Sequence, residues 1–427
     1  MRNRPFAASH LTWLFAAFVA APVTASAQPA PAPTSDPVTP TEDPIASPEP
    51  VVAPAPPPTD AKPDKKLGTT GYDKGFFIKS GDGAFGIKLT GRIQPFYTMT
   101  RTDAPKDYRS AFEIRRARIG LDGNLHGKAL TYKFQTDLGK GFVTLKDFHF
   151  DLAMAKDVYL RVGQWKRPFS RQQITSSGRQ ELTDRAITDR AFGAGRDIGL
   201  ALRNDYEKSP AFEWTVGVFN GTGDGAKLGG TATVDPMTGA GTVTGGSFSN
   251  VPAKFRPVVV ARAGLNSGEI KGYSEADLEG GPLRFGVAAS IALEGDYDDD
   301  DKSNQKVQLD YIAKVSGLST TGGVYAMTDQ EADGDGVADA ETSLVGFHVQ
   351  AGYMLDKRWQ AAARYALVND PRTKAVVAKD QQEISVGANF FGYGHDAKFA
   401  GAVRFIKTGD ASFTDVVLVE LGANVGW

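Results

Sequence analysis

The end of the chain alternates without a break. Val417, Val419, Leu421, Ala423, Val425 and Trp427 take every second position, and Glu420, Gly422, Asn424 and Gly426 fall between them. Successive side chains of a strand point to opposite faces, so this pattern makes one wholly apolar face and one polar one. The same grammar recurs in Ala117, Ile119, Leu121 and Leu125 against Arg116, Arg118, Asp122 and Asn124. It recurs again in Val307, Leu309 and Tyr311 against Gln308 and Asp310, and in Phe399, Val403 and Phe405 against Lys398 and Arg404. Strands placed by this alternation, with turns at Gly, Asn, Asp and Pro clusters, number about sixteen. They fall near 87–100, 111–125, 130–139, 144–154, 157–165, 197–204, 211–219, 256–266, 283–293, 305–315, 317–327, 342–353, 359–368, 382–391, 397–406 and 414–427.

The connections between these segments alternate in length. His126-Gly127-Lys128 and Met354 to Lys357 are tight, whereas 166–196, 220–255, 294–304, 328–341 and 369–381 are extended. Short turns on one rim and long loops on the other are the layout of a transmembrane antiparallel β-barrel, whose strands face lipid on one side and the lumen on the other. A β-sandwich explains alternation equally well. Against it stand the large, even strand number, the aromatic Trp427 inside a strand at the very end, and charge where a second apolar core would lie. Beyond the N-terminal region, no apolar run is long enough for a membrane-spanning helix, which a barrel does not need.

Three regions are expected. Residues 1–27 carry Arg2 and Arg4, an apolar stretch from Leu11 to Val23 and then Ala25-Ser26-Ala27, the pattern of a secretory signal peptide cleaved before Gln28. Residues 28–66 hold 13 of the 24 prolines and no aromatic residue, the composition of a semi-rigid periplasmic linker without a core. Residues 67–427 form the barrel.

Composition narrows the chemistry. There is no Cys, only five His, and no nucleophile elbow, P-loop, HExxH or His pair at ligand spacing, so neither an enzyme nor a cofactor is expected. A net charge of -2 gives no reason to expect nucleic acid as a partner. The charges are nevertheless segregated. Residues 294–304 sum to -5 and 328–341 to -6, while 166–196 carry seven basic residues against three acidic ones, or +4. Asp333 and Asp335 resemble the core of a calcium loop, but Thr342 stands where such a loop needs Glu; a solvated acidic loop is the plainer reading. Phe96, Tyr97, Trp214, Trp359, Phe390, Phe391 and Trp427 sit near strand ends, where interfacial aromatic girdles belong.

Several segments resemble the phosphate-selective porin O/P family: Gly91-Arg92-Ile93-Gln94, Phe112 to Gly120 (FEIRRARIG), Tyr159 to Ser170 (YLRVGQWKRPFS), Ile174-Thr175-Ser176-Ser177 and Gly195 to Gly199 (GRDIG). The resemblance is specific over about 75–205 and weaker beyond. It implies a sixteen-stranded outer-membrane barrel, a homotrimer in contact with outer-membrane lipid, passing phosphate or related small inorganic anions through a lumen lined by Arg and Lys. It also implies that 166–196 folds inward as the constriction. On it, anion contacts map to Thr175, Ser176, Ser177, Arg167, Arg171, Arg179 and Arg185, with a wall ladder of Arg92, Arg115, Arg116 and Arg118. Gln173 departs from the family, which places Lys there. Arg suits the task because its N–H fork stays protonated and matches oxyanions in pairs. For each Arg of 166–196, contact with the ion and bracing of the loop against Asp or Glu are both open. Arg115 and Arg116 are adjacent, so in a regular strand only one faces the lumen, and parity with Arg118 favours Arg116 unless a bulge intervenes. The alternative function is a structural envelope anchor or adhesin that binds through the Pro-rich segment or the acidic loops.

Overall fold

The computed structural model describes residues 68–427 apart from 104–105, 142, 224–226, 229–230, 235–240, 245–247, 250, 253–254, 295–302, 331–341, 371–379 and 410–415. The expected leader and Pro-rich segment, and Asp333 and Asp335 with most of both acidic loops, lie outside the described residues.

A short hairpin, β1 (Thr69–Tyr72) and β2 (Phe76–Lys79), leads into β3 (Gly86–Asp103) and β4 (Lys106–Leu125), the two longest strands. Then follow β5 (Leu130–Asp137), β6 (Thr144–Ala155), β7 (Val158–Lys166), β8 (Arg196–Arg203) and β9 (Phe212–Phe219). β10 (Lys227–Leu228), β11 (Thr231–Val234), β12 (Gly241–Thr244) and β13 (Phe248–Ser249) form two small ribbons in the next connection. β14 (Val258–Ser267), β15 (Arg284–Glu294), β16 (Ser303–Val315), β17 (Leu318–Gln330) and β18 (Thr342–Met354) continue the wall. β19 (Trp359–Asn369), β20 (Gln381–Tyr393), β21 (Ala397–Thr408) and β22 (Val416–Gly426) complete it. Neighbours pair antiparallel, β9 pairs with β14 and β22 pairs back with β3. The result is a closed sixteen-stranded barrel, and each of the sixteen strands overlaps a segment expected from alternation. The hairpin β1–β2 and the ribbons carry too few residues to show a period.

Alternation sets which side faces out. Along β15, Phe285, Val287, Ala289, Ile291 and Leu293 point outward and are exposed, while Arg284, Gly286, Ala288, Ser290 and Ala292 are buried inside. An apolar exterior of this extent costs about 25 cal/mol per Å² in water and nothing in lipid, so the wall belongs in a membrane. Tyr97, Trp359, Phe390 and Trp427 do face out. Phe96 and Phe391 do not: both are buried inside, Phe96 under the Arg115 guanidinium and Phe391 against the His395 ring. Strand parity, not nearness to a strand end, decides the face.

The rims differ as expected. One carries 126–129, 156–157, 204–211, 316–317, 355–358 and 394–396; Ser316 and Gly317, both at positive φ, make the two-residue turn that follows the strand twist. The other carries 138–143, 167–195, 220–257 and the connections between the later pairs. One short-rim connection breaks the rule: 268–283 is long, and its residues 272–277 are buried.

The apolar core lies inside the barrel, under the inward loop 167–195. Phe169, Ile187 and Phe192 of the loop meet Trp165, Phe219, Val260, Tyr325, Leu344 and Val368 of the wall. The loop holds two short helices, α1 (Arg171–Ile174) and α2 (Ile187–Phe192); α2 supplies Ile187 and Phe192 and packs on β17 to β20, while Ile174 of α1 meets Tyr206 and Tyr273. This packing fills the β9–β20 side and leaves open space along β3 to β8.

Candidate functional site

The inward loop is held by its own basic residues. Ser170 caps α1 by accepting from Gln173 N at 3.0 Å. Arg171 donates through its backbone N and Nε to the two oxygens of Asp310 (3.0 and 2.9 Å) and through a terminal nitrogen to Gly272 O (3.0 Å). Arg262 binds the same Asp310 at 2.7 and 2.9 Å and Glu213 at 3.2 Å, so Arg171 is sealed in an ion cluster and does not reach open space. Arg167 donates to Ala194 O and sits 3.8 Å from Asp197, across the root of the loop. Thr175 is buried, and its carbonyl accepts from Lys166 Nζ (3.1 Å) and Arg185 (3.2 Å). Arg185 also donates to Gln172 O at 2.9 Å and lies 3.7 Å from Asp189, yet one side of it lines the lumen. Burial raises the Asp189 carboxyl above its ordinary value, with Arg185 and Lys166 opposing. The Gln173 amide faces both Asp189 oxygens at 3.1 Å, with its nitrogen as donor. It is thus turned into the loop and away from the lumen.

The tip of the loop meets the wall ladder. Arg92 on β3 donates to Ser176 Oγ at 2.7 Å and Ser177 Oγ at 3.1 Å, with no carboxylate partner at hydrogen-bond distance among the described residues. On β4 the register with β3 slips: Gln94 is opposite Arg116 and Pro95 opposite Ile114, leaving Arg115 as the extra residue of a bulge. Both adjacent arginines therefore enter the lumen. Arg115 binds Glu113 and Glu420 at 2.7 and 2.8 Å, Arg116 binds Gln94 at 3.1 Å and lies 3.9 Å from Asp184, and Arg118 binds Asp137 at 2.8 Å. Burial disfavours ionisation of Asp184, but Arg404 and Arg116 outweigh it and hold that carboxyl below its ordinary value.

Three cavities run along this side and share walls. The first, on the short-turn rim, is about 240 Å³ and includes Lys74, Arg92, Arg118, Ser176 and Arg179. The middle one, about 340 Å³, repeats Arg92, Arg118, Ser176 and Arg179 and adds Lys133, Arg161, Lys166 and Arg196. The third, about 410 Å³, repeats Arg118, Lys166 and Arg196 and adds Arg115, Arg116, Lys140, Lys146, Ser177 and Arg185. Together the middle and third cavities are lined by twelve basic residues (Arg92, Arg115, Arg116, Arg118, Lys133, Lys140, Lys146, Arg161, Lys166, Arg179, Arg185, Arg196) and four acidic ones (Asp137, Asp147, Asp184, Glu207). Lys166 donates to the carbonyls of Ile174 and Thr175 at 2.9 and 3.1 Å, and the carboxylates of Asp147 and Asp189 lie near enough to act on its charge. Such a surface attracts anions and offers them donors in sequence.

Of the expected site residues, Arg92, Arg115, Arg116, Arg118, Ser176, Ser177, Arg179 and Arg185 line this path, whereas Arg167, Arg171 and Thr175 brace the loop. Sequence reading counted Lys166 and Arg196 only in the charge of 166–196, and did not single out Lys133, Lys140, Lys146 or Arg161. For Lys133 the signal was present: Lys133, Gln135 and Asp137 alternate with Tyr132 and Phe134.

A family model, phosphate-selective porin O and P, matches residues 87–408. Comparison with the curated proteins gives no match. Among solved structures, the channel DcaP of Acinetobacter baumannii superposes with a TM-score of 0.55 at 14% identity, over 82% of this chain and 99% of that one. The anion-selective porin of Comamonas acidovorans gives 0.51 at 13% identity, over 80% and 100%. Salmonella typhi OmpF, in complex with daunomycin, gives 0.53 at 12% identity, over 84% and 100%. At these identities the structures speak for the porin barrel alone; with the family match covering the barrel from β3 to β21, the chain belongs to the phosphate-selective porin O and P family of outer-membrane porins.

Proposed function

We propose that this porin carries small oxyanions, phosphate foremost, by passive diffusion along the Arg-lined side of its lumen. The observation that carries the reading is Arg92: among the described residues its guanidinium meets two serine hydroxyls and no carboxylate at hydrogen-bond distance, where loop tip and wall converge. An oxyanion there replaces lost hydration with a cationic fork and two rotatable O–H donors. Further along, Arg118, Arg116 and Arg196 each share their charge with an acid, which weakens capture and favours handover. Gln173, clasped to Asp189, supplies no charge to this path.

A purely structural barrel would need a blocked lumen; three cavities sharing their lining residues favour conduction. Export by the leader in 1–27 and a homotrimer are parts of the same proposal. For the trimer, the support is a concave apolar face outside β3, β4 and β19–β22, where Tyr97, Phe112, Trp359 and Phe399 surround Ala388 and Gly401.

The deciding test is a planar bilayer with a KCl gradient. The reversal potential should have the sign of anion preference, and added phosphate should block the chloride current at concentrations that leave it unaffected in a general porin. Cation preference would overturn the reading.

A further inference from the structure

Two segments enter the barrel from opposite rims and meet. The tip of the loop 167–195 comes from one rim and 268–283 from the other. Glu275 N donates to Arg179 O at 3.0 Å, and Glu275 Oε2 accepts from Glu181 N at 2.8 Å. The Gln350 amide on β18 donates to Glu181 Oε2 at 2.9 Å and to Glu275 Oε2 at 2.8 Å, so one nitrogen bridges two carboxyl groups. Glu181 Oε1 accepts from Gln360 on β19 at 2.7 Å and from Ser319 on β17. Both carboxyl groups are buried. Arg179 and Glu181 follow directly after the tip that presents Ser176 and Ser177 to Arg92.

We infer that Glu275 is the positioning residue of the anion path: it reaches from the opposite rim to fix the loop tip, and its contact with Glu181 ties the placement of Ser176 and Ser177 to one proton. The inference rests on the anion-channel reading above.

Two carboxylates bridged by one amide cannot both stay charged at little cost. Burial, and then the charge of Glu275, push the Glu181 carboxyl up to about 7. Lys398 on β21 and Lys314 on β16 are the cations that act on Glu181. His395, which meets Ser274 Oγ at 3.0 Å, is held well below its ordinary value by burial and by Lys398 and Arg179, so it stays neutral near pH 7. Because the folded value of Glu181 is raised, the junction is firmest at acid pH and loosens as pH rises through about 7.

The experiment uses the full-length protein in planar bilayers, with chloride current and sulfate as blocker, since sulfate keeps its two charges throughout the range tested. For the wild type, the half-blocking concentration should rise several-fold from pH 6 to pH 8. Glu275→Ala should raise it about tenfold at pH 6, the loss expected when a buried charge-assisted contact goes. Glu275→Gln keeps an acceptor for Glu181 N, and should block as the wild type does at pH 6 with no pH slope. An unchanged Glu275→Ala, or a Glu275→Gln that retains the wild-type slope, overturns the inference while leaving the anion channel intact. A wild type without anion preference overturns both. If Glu275→Ala fails to reach the heat-modifiable barrel form, the slope of Glu275→Gln decides.

Discussion

Two arginines show how little residue type says about role. Arg171 and Arg92 are both half of a polar contact between the inward loop and the wall, yet Arg171 pairs with Asp310 and Glu213 while the hydrogen bonds described for Arg92 go to two hydroxyls. Removing Arg171 leaves buried carboxylates with Arg262 alone, a loss of about 3–5 kcal/mol for breaking a buried ion pair. Arg171→Ala should therefore lower the temperature at which the barrel unfolds in heat-modifiable gel migration. Arg92→Ala leaves only two serine hydroxyls behind. Its unfolding temperature should stay near the wild-type value while the half-blocking concentration of phosphate rises about tenfold. Equal effects of both variants on block would refute the assignment.

At the scale of elements, the β4 bulge is the informative case. Alternation predicts that adjacent arginines diverge, and it holds on either side: Ile114, Ala117 and Ile119 stay on the outer face while Glu113, Arg116 and Arg118 point in. Arg115 is the one extra residue that breaks the period, and it lets the strand show two guanidinium groups to the lumen. Deleting Arg115 should leave an unbroken alternation and a barrel that folds. Deleting Ile119 should turn the rest of the strand inside out and abolish the folded band, because a one-residue slip exchanges the two faces. The closing seam is set just as tightly. Gly91 and Trp427 exchange backbone hydrogen bonds at 2.9 and 3.0 Å, and a Cβ at Gly91 would clash with the Trp427 ring.

For the whole molecule, the near-neutral net charge of -2 hides an uneven distribution. Twelve basic against four acidic residues around the two larger cavities put the positive surplus where the ion travels. The screening length shrinks from about 10 Å at 0.1 M salt to about 3 Å at 1 M. Selectivity that comes from the field of many charges should weaken across that range, so the chloride-to-potassium permeability ratio should fall as KCl rises. A ratio independent of salt would instead place selectivity in direct contacts such as Arg92 with Ser176 and Ser177. The filling of one half of the lumen by the loop core and by 268–283 concentrates that field on the open side.

What the sequence determined by itself was whatever has a period: sixteen strands, their two faces, the long and short rims, and the inward faces of Arg116 and Arg118. A strand reports its orientation every two residues, so its fate is written locally. The motif resemblance added the inward loop and its Ser176 and Ser177. Only the tertiary structure decided which loop arginines brace and which line the path, since Arg171 and Asp310 are 139 positions apart and nothing local marks them as partners. The entry of 268–283 from the short rim and the meeting of Glu275 with Glu181 were equally hidden. Both depend on which side chains barrel closure brings face to face, and closure is a property of all sixteen strands together.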